Sequence, residues 1–194
     1  MRIRTAAAAG FAAAALSVAG ITAASASVQS HGPVTNASIG CDTHDSGYCG
    51  SQEFQSPSNL VLDVKGGHVK AGTAIVVWTS SSTDRATDFY SINYNGQSGT
   101  GGPDKTFEYA PNGNRSGLCI SFPSTARNTT AVLRKCNELI WQTFEPQYVD
   151  GVFVSWKNLA SGLVITDPNH GSNGTQVTQT TDNGNDNQHL QFTS

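Results

Sequence analysis

Apolar and polar residues alternate with a period of two along several short stretches of the chain. The alternation is clear in residues 73–77 (TAIVV) and 175–179 (TQVTQ), and this period places successive side chains on opposite faces of a β-strand. Val, Thr and Ile dominate such stretches, as strands favour. Turn signals separate them, for example Asn112-Gly113 and Asn173-Gly174. The pattern predicts an all-β fold of many short strands.

One eight-residue sequence motif occurs twice along the chain. Residues 116–123 read SGLCISFP, residues 161–168 read SGLVITDP, and a related copy, SNLVLDV, occupies 58–64. A turn region and a second alternating strand follow each copy. We place the end of each unit at a short apolar or aromatic triplet: Asp88-Phe89-Tyr90, Leu139-Ile140-Trp141 and Gln188-His189-Leu190. Self-similarity at this spacing is typical of a repeat architecture.

One such unit cannot bury its apolar face alone, whereas three units around a pseudo-threefold axis can share a core. We therefore expect equivalent apolar residues to meet at the axis. The candidates form three sets: Leu60, Leu118 and Leu163; Leu62, Ile120 and Ile165; and Tyr90, Trp141 and Leu190.

The first 26 residues predict a secretory signal peptide. Arg2 and Arg4 precede an Ala-rich apolar run that ends at the small-x-small site 24–26 (ASA). A membrane anchor is the alternative, but Ala, Gly, Ser and Thr make the run weakly hydrophobic. No other segment has the length needed to span a membrane. We expect a secreted, extracellular protein, with a tail over residues 27–49 and one domain over 50–194.

The charge of the chain argues against nucleic acid as a partner. Because Arg2 and Arg4 lie in the leader, nine of the 11 Lys and Arg residues remain against 14 Asp and Glu residues. The sequence also contains no Lys/Arg cluster, which phosphate binding needs.

Four cysteines follow the predicted leader, and an exported protein can form disulfides. Local pairing, Cys41 with Cys49 and Cys119 with Cys136, is the simplest of the three possible connectivities. The segment 41–49 (CDTHDSGYC) also contains His and Asp residues, but its spacing matches no zinc pattern. We expect no metal site.

The three units resemble the ricin B-type lectin repeat, whose pattern is S-G-x-C-L-D-V, then G-T-x-V-x-L-W-x-C, then N-Q-x-W. This chain has SNLVLDV, AGTAIVVWTS and TDFY; SGLCIS, NTTAVLRKC and LIWQTF; and SGLVIT, NGTQVTQTTD and NQHL. The resemblance covers about residues 50–194, although Q-x-W is altered in every copy. It implies a β-trefoil of 12 strands, and it places Cys119 and Cys136 at the positions of a disulfide within one unit.

The resemblance also implies carbohydrate binding. Sugar-binding members use a carboxylate after the first strand, an aromatic ring on the second strand and an amide pair, which together suit a polyol with an apolar face. In the first unit, Asp63 and Trp78 hold the first two roles. Thr87 and Asp88 replace the amides, and Gly66 leaves space beside the backbone.

The other two units depart further from the sugar-binding pattern. Ser121 and Arg134 stand at the carboxylate and ring positions of the second unit. The third unit has Thr at both positions but keeps the amide pair, Asn187 and Gln188, as a secondary candidate. We therefore expect at most one intact sugar site.

No catalytic motif emerges from the sequence. The five His residues are scattered, and residues 96–101 (GQSGTG) depart from G-x-S-x-G at Thr100. We predict a non-catalytic carbohydrate-binding protein without a cofactor. Two alternatives stay open. A proteinase inhibitor similar to the Kunitz type could use residues 93–114, although a flexible composition argues against an inhibitory loop. A degenerate trefoil could bind a protein partner without any sugar site.

Overall fold

The computed structural model describes residues 48–81, 86–99, 102–137, 139–168 and 170–193. These residues contain twelve strands, four short 3₁₀ turns and no α-helix. The strands are β1 (Tyr48–Phe54), β2 (Leu60–Val64), β3 (Ile75–Thr79), β4 (Phe89–Gly99), β5 (Gly102–Tyr109), β6 (Leu118–Ser121), β7 (Val132–Lys135), β8 (Thr143–Tyr148), β9 (Val154–Asn158), β10 (Val164–Thr166), β11 (Thr178–Thr180) and β12 (Leu190–Thr193).

Six of the strands close into a ring. They pair antiparallel in the order β1, β4, β5, β8, β9, β12 and back to β1. The other six strands form three hairpins, β2–β3, β6–β7 and β10–β11. One hairpin and two ring strands per unit make a β-trefoil, which confirms the predicted fold class and strand number.

A ring of three backbone hydrogen bonds marks the pseudo-threefold axis. The Ile75 N–H donates to the Ala131 carbonyl over 3.0 Å, the Ala131 N–H to the Val177 carbonyl over 2.8 Å, and the Val177 N–H to the Ile75 carbonyl over 3.0 Å. Each residue belongs to a different unit, so the cycle closes only if the three units are related by rotation. The repeated sequence motif therefore corresponds to a repeated structural unit.

The core contains one predicted layer as expected. Leu62, Ile120 and Ile165 are buried in a single cluster. The Leu60 set is uneven, because Leu60 is buried whereas Leu118 is only partly buried against the cluster.

The other predicted core layer is wrong in two of its three members. The residues that meet in the cluster are Phe89, Phe144 and Leu190, each with no exposed surface, and not Tyr90 or Trp141. Tyr90 is also buried, at 2% exposed, but it follows Phe89 on β4 and therefore points to the opposite face of that strand. Trp141 lies in the 3₁₀ turn Ile140–Gln142, three residues before Phe144, and is partly exposed.

One predicted disulfide is confirmed. Cys119 and Cys136 are bonded, with their Cα atoms 5.0 Å apart and a sequence separation of 17. The bond joins β6 to the residue after β7 and so ties together the open end of one hairpin. Cys49 is also disulfide-bonded. Its predicted partner, Cys41, lies outside the described residues, as does the predicted signal peptide.

Most of the segment proposed as an inhibitory loop lies in strands. Residues 93–114 contribute to β4 and β5, which form one long hairpin with a register shift between Asn93 and Ser98. The described part of the chain contains no helix long and apolar enough to cross a bilayer.

Candidate functional site

The first hairpin places two of the predicted contact residues on one face. Asp63 pairs with Val76 across β2 and β3, and Trp78 pairs with Val61. Side chains alternate along a strand, and Leu62 points into the core. Asp63 and Trp78 therefore lie on the opposite, outer face, as diagonal neighbours on adjacent strands.

The Trp78 ring lies against the turn of the third unit. A Cβ atom at Gly174, where φ is +84°, would lie 3.6 Å from Cζ3 of the Trp78 ring. Beside it, the backbone N–H and the hydroxyl of Thr79 both donate to Oδ1 of Asn173 over 2.9 Å. The predicted ring is partly exposed and held against a neighbouring unit.

Three of the five predicted contact residues are buried. Asp63, Thr87 and Asp88 are 1%, 3% and 9% exposed, respectively. Gly66, with φ of 66° in the left-handed region, and Trp78 are partly exposed. Of the five predicted contact residues, only Trp78 and Gly66 therefore offer surface to a ligand.

An open cleft of about 280 Å³ lies at the equivalent place in the second unit. Ser121 pairs with Val132, and Arg134 pairs with Cys119, so Ser121 and Arg134 occupy the strand positions of Asp63 and Trp78, as predicted. The cleft is lined by Ser121, Pro123, Arg134, Asn137, Leu139, Trp141 and Gln142.

Gln142 shapes one wall of the cleft. Its Nε2 donates to the Lys135 carbonyl over 2.9 Å, and the Asn137 N–H donates to its Oε1 over 3.1 Å. Gln188 makes the same pair of bonds to its own hairpin in the third unit. Gln142 is therefore the equivalent of Gln188, and the second unit keeps the glutamine of the amide pair. The second unit predicted from the sequence ends at Trp141, one residue before Gln142, and so misses this equivalence.

Trp141 supplies the aromatic ring of the cleft. It lies at the position of Asn187, because the Trp141 carbonyl accepts the Phe122 N–H as the Asn187 carbonyl accepts the Asp167 N–H. The Trp141 carbonyl also accepts a hydrogen bond from Nδ2 of Asn158 over 3.1 Å. The second unit thus has a ring beside the expected site, on the closing segment and not on the second strand. The Trp-Gln pair in LIWQTF was the signal in the sequence.

The charge of the cleft comes from one side chain. Arg134 is the single charged residue among its described lining residues. It is exposed, and its guanidinium makes no hydrogen bond or ion pair in the described part of the chain. The cleft therefore combines a positive charge with an indole ring and neutral polar groups.

The third unit uses its amides internally. Nδ2 of Asn187 donates to the Asp167 carbonyl over 2.7 Å, and Nε2 of Gln188 donates to the hydroxyls of Thr166 and Thr180 over 3.1 Å and 2.8 Å. Both amide side chains are buried. The secondary candidates thus serve the packing of the unit in this structure.

No protein-family model and no curated protein sequence matches this chain. Solved structures do match its fold. A designed threefold-symmetric protein, ThreeFoil, superposes with a TM-score of 0.65 and 15% identity, over 75% of this chain and 98% of that one. The Rhizoctonia solani agglutinin gives 0.60 and 17%, over 75% and 94%. These superpositions agree with the strand topology, and the fold is a β-trefoil.

An enzyme also contains a similar trefoil. The exo-β-1,3-galactanase of Clostridium thermocellum gives a TM-score of 0.63 with 19% identity, over 77% of this chain and 30% of the galactanase. The superposed residues thus cover 94% of the agglutinin but only 30% of the galactanase. At these identities the likeness concerns the fold alone.

Proposed function

We propose that this chain is a secreted, non-catalytic carbohydrate-binding protein that holds saccharides on the outer faces of its hairpins. One observation carries the proposal. The cleft of the second unit opens at the strand positions where the sequence predicts a sugar site in the first unit, and it contains the Trp141 ring beside polar groups. A sugar ring has an apolar C–H face and a polar rim, which such a mixed surface complements.

The first unit is the second contact point in this proposal. The Trp78 ring stacks on a sugar beside the Gly66 backbone, and the predicted contact residues Asp63, Thr87 and Asp88 lie buried behind this surface. Since Asp63 is only 1% exposed, truncation of Trp78 tests this face most directly.

The leader and the disulfides support secretion in this proposal. Residues 1–26 have the pattern of a signal peptide, and disulfides such as Cys119–Cys136 persist in oxidising compartments.

A glycan array probed with the mature protein, presented as a multivalent conjugate, tests the proposal. Shallow sites that contact a single sugar bind weakly, with Kd on the order of 1 mM, about 4 kcal/mol, so multivalent display is needed for a signal. We expect a limited set of glycans to bind. If the protein binds no glycan on the array and inhibits proteases in a panel of secreted enzymes, the inhibitor alternative is established instead.

A further inference from the structure

We propose that the cleft of the second unit binds an acidic saccharide, and that Arg134 pairs with the oxygens of its carboxylate or sulfate group. The inference rests on the proposed function, because it specifies the chemical class of sugar for one of the proposed sites. It concerns a place where the resemblance to lectins predicted no competent site.

The first argument is the exchange of a carboxylate for a hydroxyl. Asp63 of the first unit is replaced by Ser121, and no carboxylate is found among the described residues that line the cleft. The usual acceptor for neutral sugar hydroxyls is therefore missing. A guanidinium cannot replace it, since Arg donates five hydrogen bonds and accepts none. Carboxylate and sulfate oxygens are acceptors that match its planar fork.

The second argument is that Arg134 is uncommitted. Arg115 shows the contrast, because it donates to the Glu108 carboxylate from Nε over 2.8 Å and from Nη2 over 2.7 Å. That guanidinium is part of the fold. Arg134 has no such partner in the described part of the chain, so its donors are free to meet an anion from solution.

The third argument is the rigidity of the walls around Arg134. It pairs with Cys119 on β6, and the Cys119–Cys136 disulfide ties the two strands together. On the facing wall, Asn158 and Phe122 fix the backbone of Trp141. The backbone that carries Arg134 and Trp141 is thus held in place, which reduces the part of the ordering cost of binding that comes from the main chain.

The size of the cleft suits a single sugar ring. The cleft volume of about 280 Å³ lies just below the roughly 300–1,000 Å³ usual for ligand pockets. We therefore expect a terminal acidic sugar to enter with its anionic group towards Arg134 and its C–H face towards Trp141. Exposed Leu139 adds apolar surface to the lining of the cleft.

A matched pair of small sugars tests the inference. Methyl glucuronide and methyl glucoside differ only in the carboxylate, and glucose 6-sulfate distinguishes sulfate from carboxylate as the anionic group. We would titrate each into the mature, disulfide-bonded protein at low salt and follow the indole N–H signals of Trp78, Trp141 and Trp156 by NMR. We expect the acidic sugars to shift Trp141 and to bind about three- to tenfold tighter than the glucoside, since an exposed charged pair contributes modestly.

Two variants assign the charge effect. Arg134→Gln should abolish the preference for the acidic sugars and leave the weak binding of the glucoside unchanged. Lys135→Gln is the matched control, because it removes the same charge from the next residue of β7, which does not line the cleft; we expect it to keep the preference. The amide spectrum of each variant confirms that it is folded.

Three outcomes overturn the inference. If glucuronide and glucoside shift Trp141 with equal affinity, the cleft binds sugar without charge selection, and the proposed function survives. If acidic sugars shift only Trp78, the site lies in the first unit. If inorganic sulfate reproduces the glucuronide response at the same concentration, Arg134 binds anions and not saccharides. Failure of every glycan, neutral or acidic, rejects the proposed function itself.

Discussion

Gln142 and Gln188 occupy equivalent places in two units of the trefoil, and each holds two backbone groups of its own hairpin. Gln142 bonds to the Lys135 carbonyl and the Asn137 N–H. Gln188 bonds the corresponding pair and two Thr hydroxyls in addition. Both side chains are buried. The conserved geometry indicates that this glutamine closes the hairpin onto the next ring strand, whatever the unit binds.

Replacing Gln142 with Leu should therefore destabilise the protein. The change leaves the Lys135 carbonyl without its amide partner, and an unsatisfied buried group costs about 1–3 kcal/mol. Gln188→Leu should cost more, because further hydroxyls lose their donor. Urea denaturation measures both values. Gln176→Leu is the control at an exposed position, where we expect little change; an equal loss there would contradict the role assigned to Gln142.

The sequence predicts the hairpins of this fold better than their connections. The faces of Asp63 and Trp78 follow from strand alternation alone, and the hairpin register agrees with the structure. The equivalence of Gln142 and Gln188 depends on the 3₁₀ turns Ile140–Gln142 and Asp186–Gln188, which precede the ring strand in each unit, and alternation carries no information about such turns. The predicted match of Leu139-Ile140-Trp141 to Gln188-His189-Leu190 is therefore wrong, and the equivalent triplet is Gln142-Thr143-Phe144.

A polar core residue was also hidden from the sequence pattern. Gln179 takes the position of Val77 and Leu133 and has no exposed surface. Its Nε2 donates to the Ser124 carbonyl over 2.7 Å, and the Ser161 hydroxyl donates to its Oε1 over 2.8 Å. Both partners are distant in sequence. A buried amide satisfied by remote groups cannot be recognised from local periodicity.

The disulfide of the second unit should contribute measurably to stability. Cys119 and Cys136 close a loop of 17 residues, for which chain entropy predicts about 3 kcal/mol. The double variant Cys119→Ala/Cys136→Ala removes this bond without reducing the one at Cys49. We expect its urea midpoint to fall while the protein stays folded in dilute buffer. An unchanged midpoint would show that the hairpin needs no covalent tie.

Asp104 should make stability depend on pH. It is 5% exposed, and burial, with Glu145 nearby, raises the pKa of its carboxyl above the usual range, against a smaller opposing effect of Lys157. Its ionised form is therefore disfavoured in the fold. Above the folded pKa this group lowers stability, and the cost disappears as pH falls through that pKa to the unfolded value of about 3.9.

Asp104→Asn tests that dependence. The variant should be more stable than the parent at neutral pH, and the difference should vanish by about pH 3, where both forms are neutral. Urea midpoints across that range give the comparison. Asp182→Asn, at an exposed carboxylate, corrects for the general change in charge. A variant that is less stable than the parent at neutral pH would show that attraction to Lys157 outweighs burial.

The aromatic rings should separate the two proposed sugar contacts. Trp78→Ala removes the ring of the first unit and Trp141→Ala that of the second, and loss of a stacked ring costs a shallow site most of its affinity. On a glycan array, we expect each variant to lose the glycans that its own unit binds and to keep the others.

Trp156→Phe is the structural control. Its indole N–H donates to Oε1 of Gln52 over 3.0 Å inside the ring of strands, so this variant should lose stability and keep its glycan profile. If Trp78→Ala and Trp141→Ala both leave the profile unchanged, sugar is bound elsewhere on the trefoil, and the assignment to the hairpin faces is wrong.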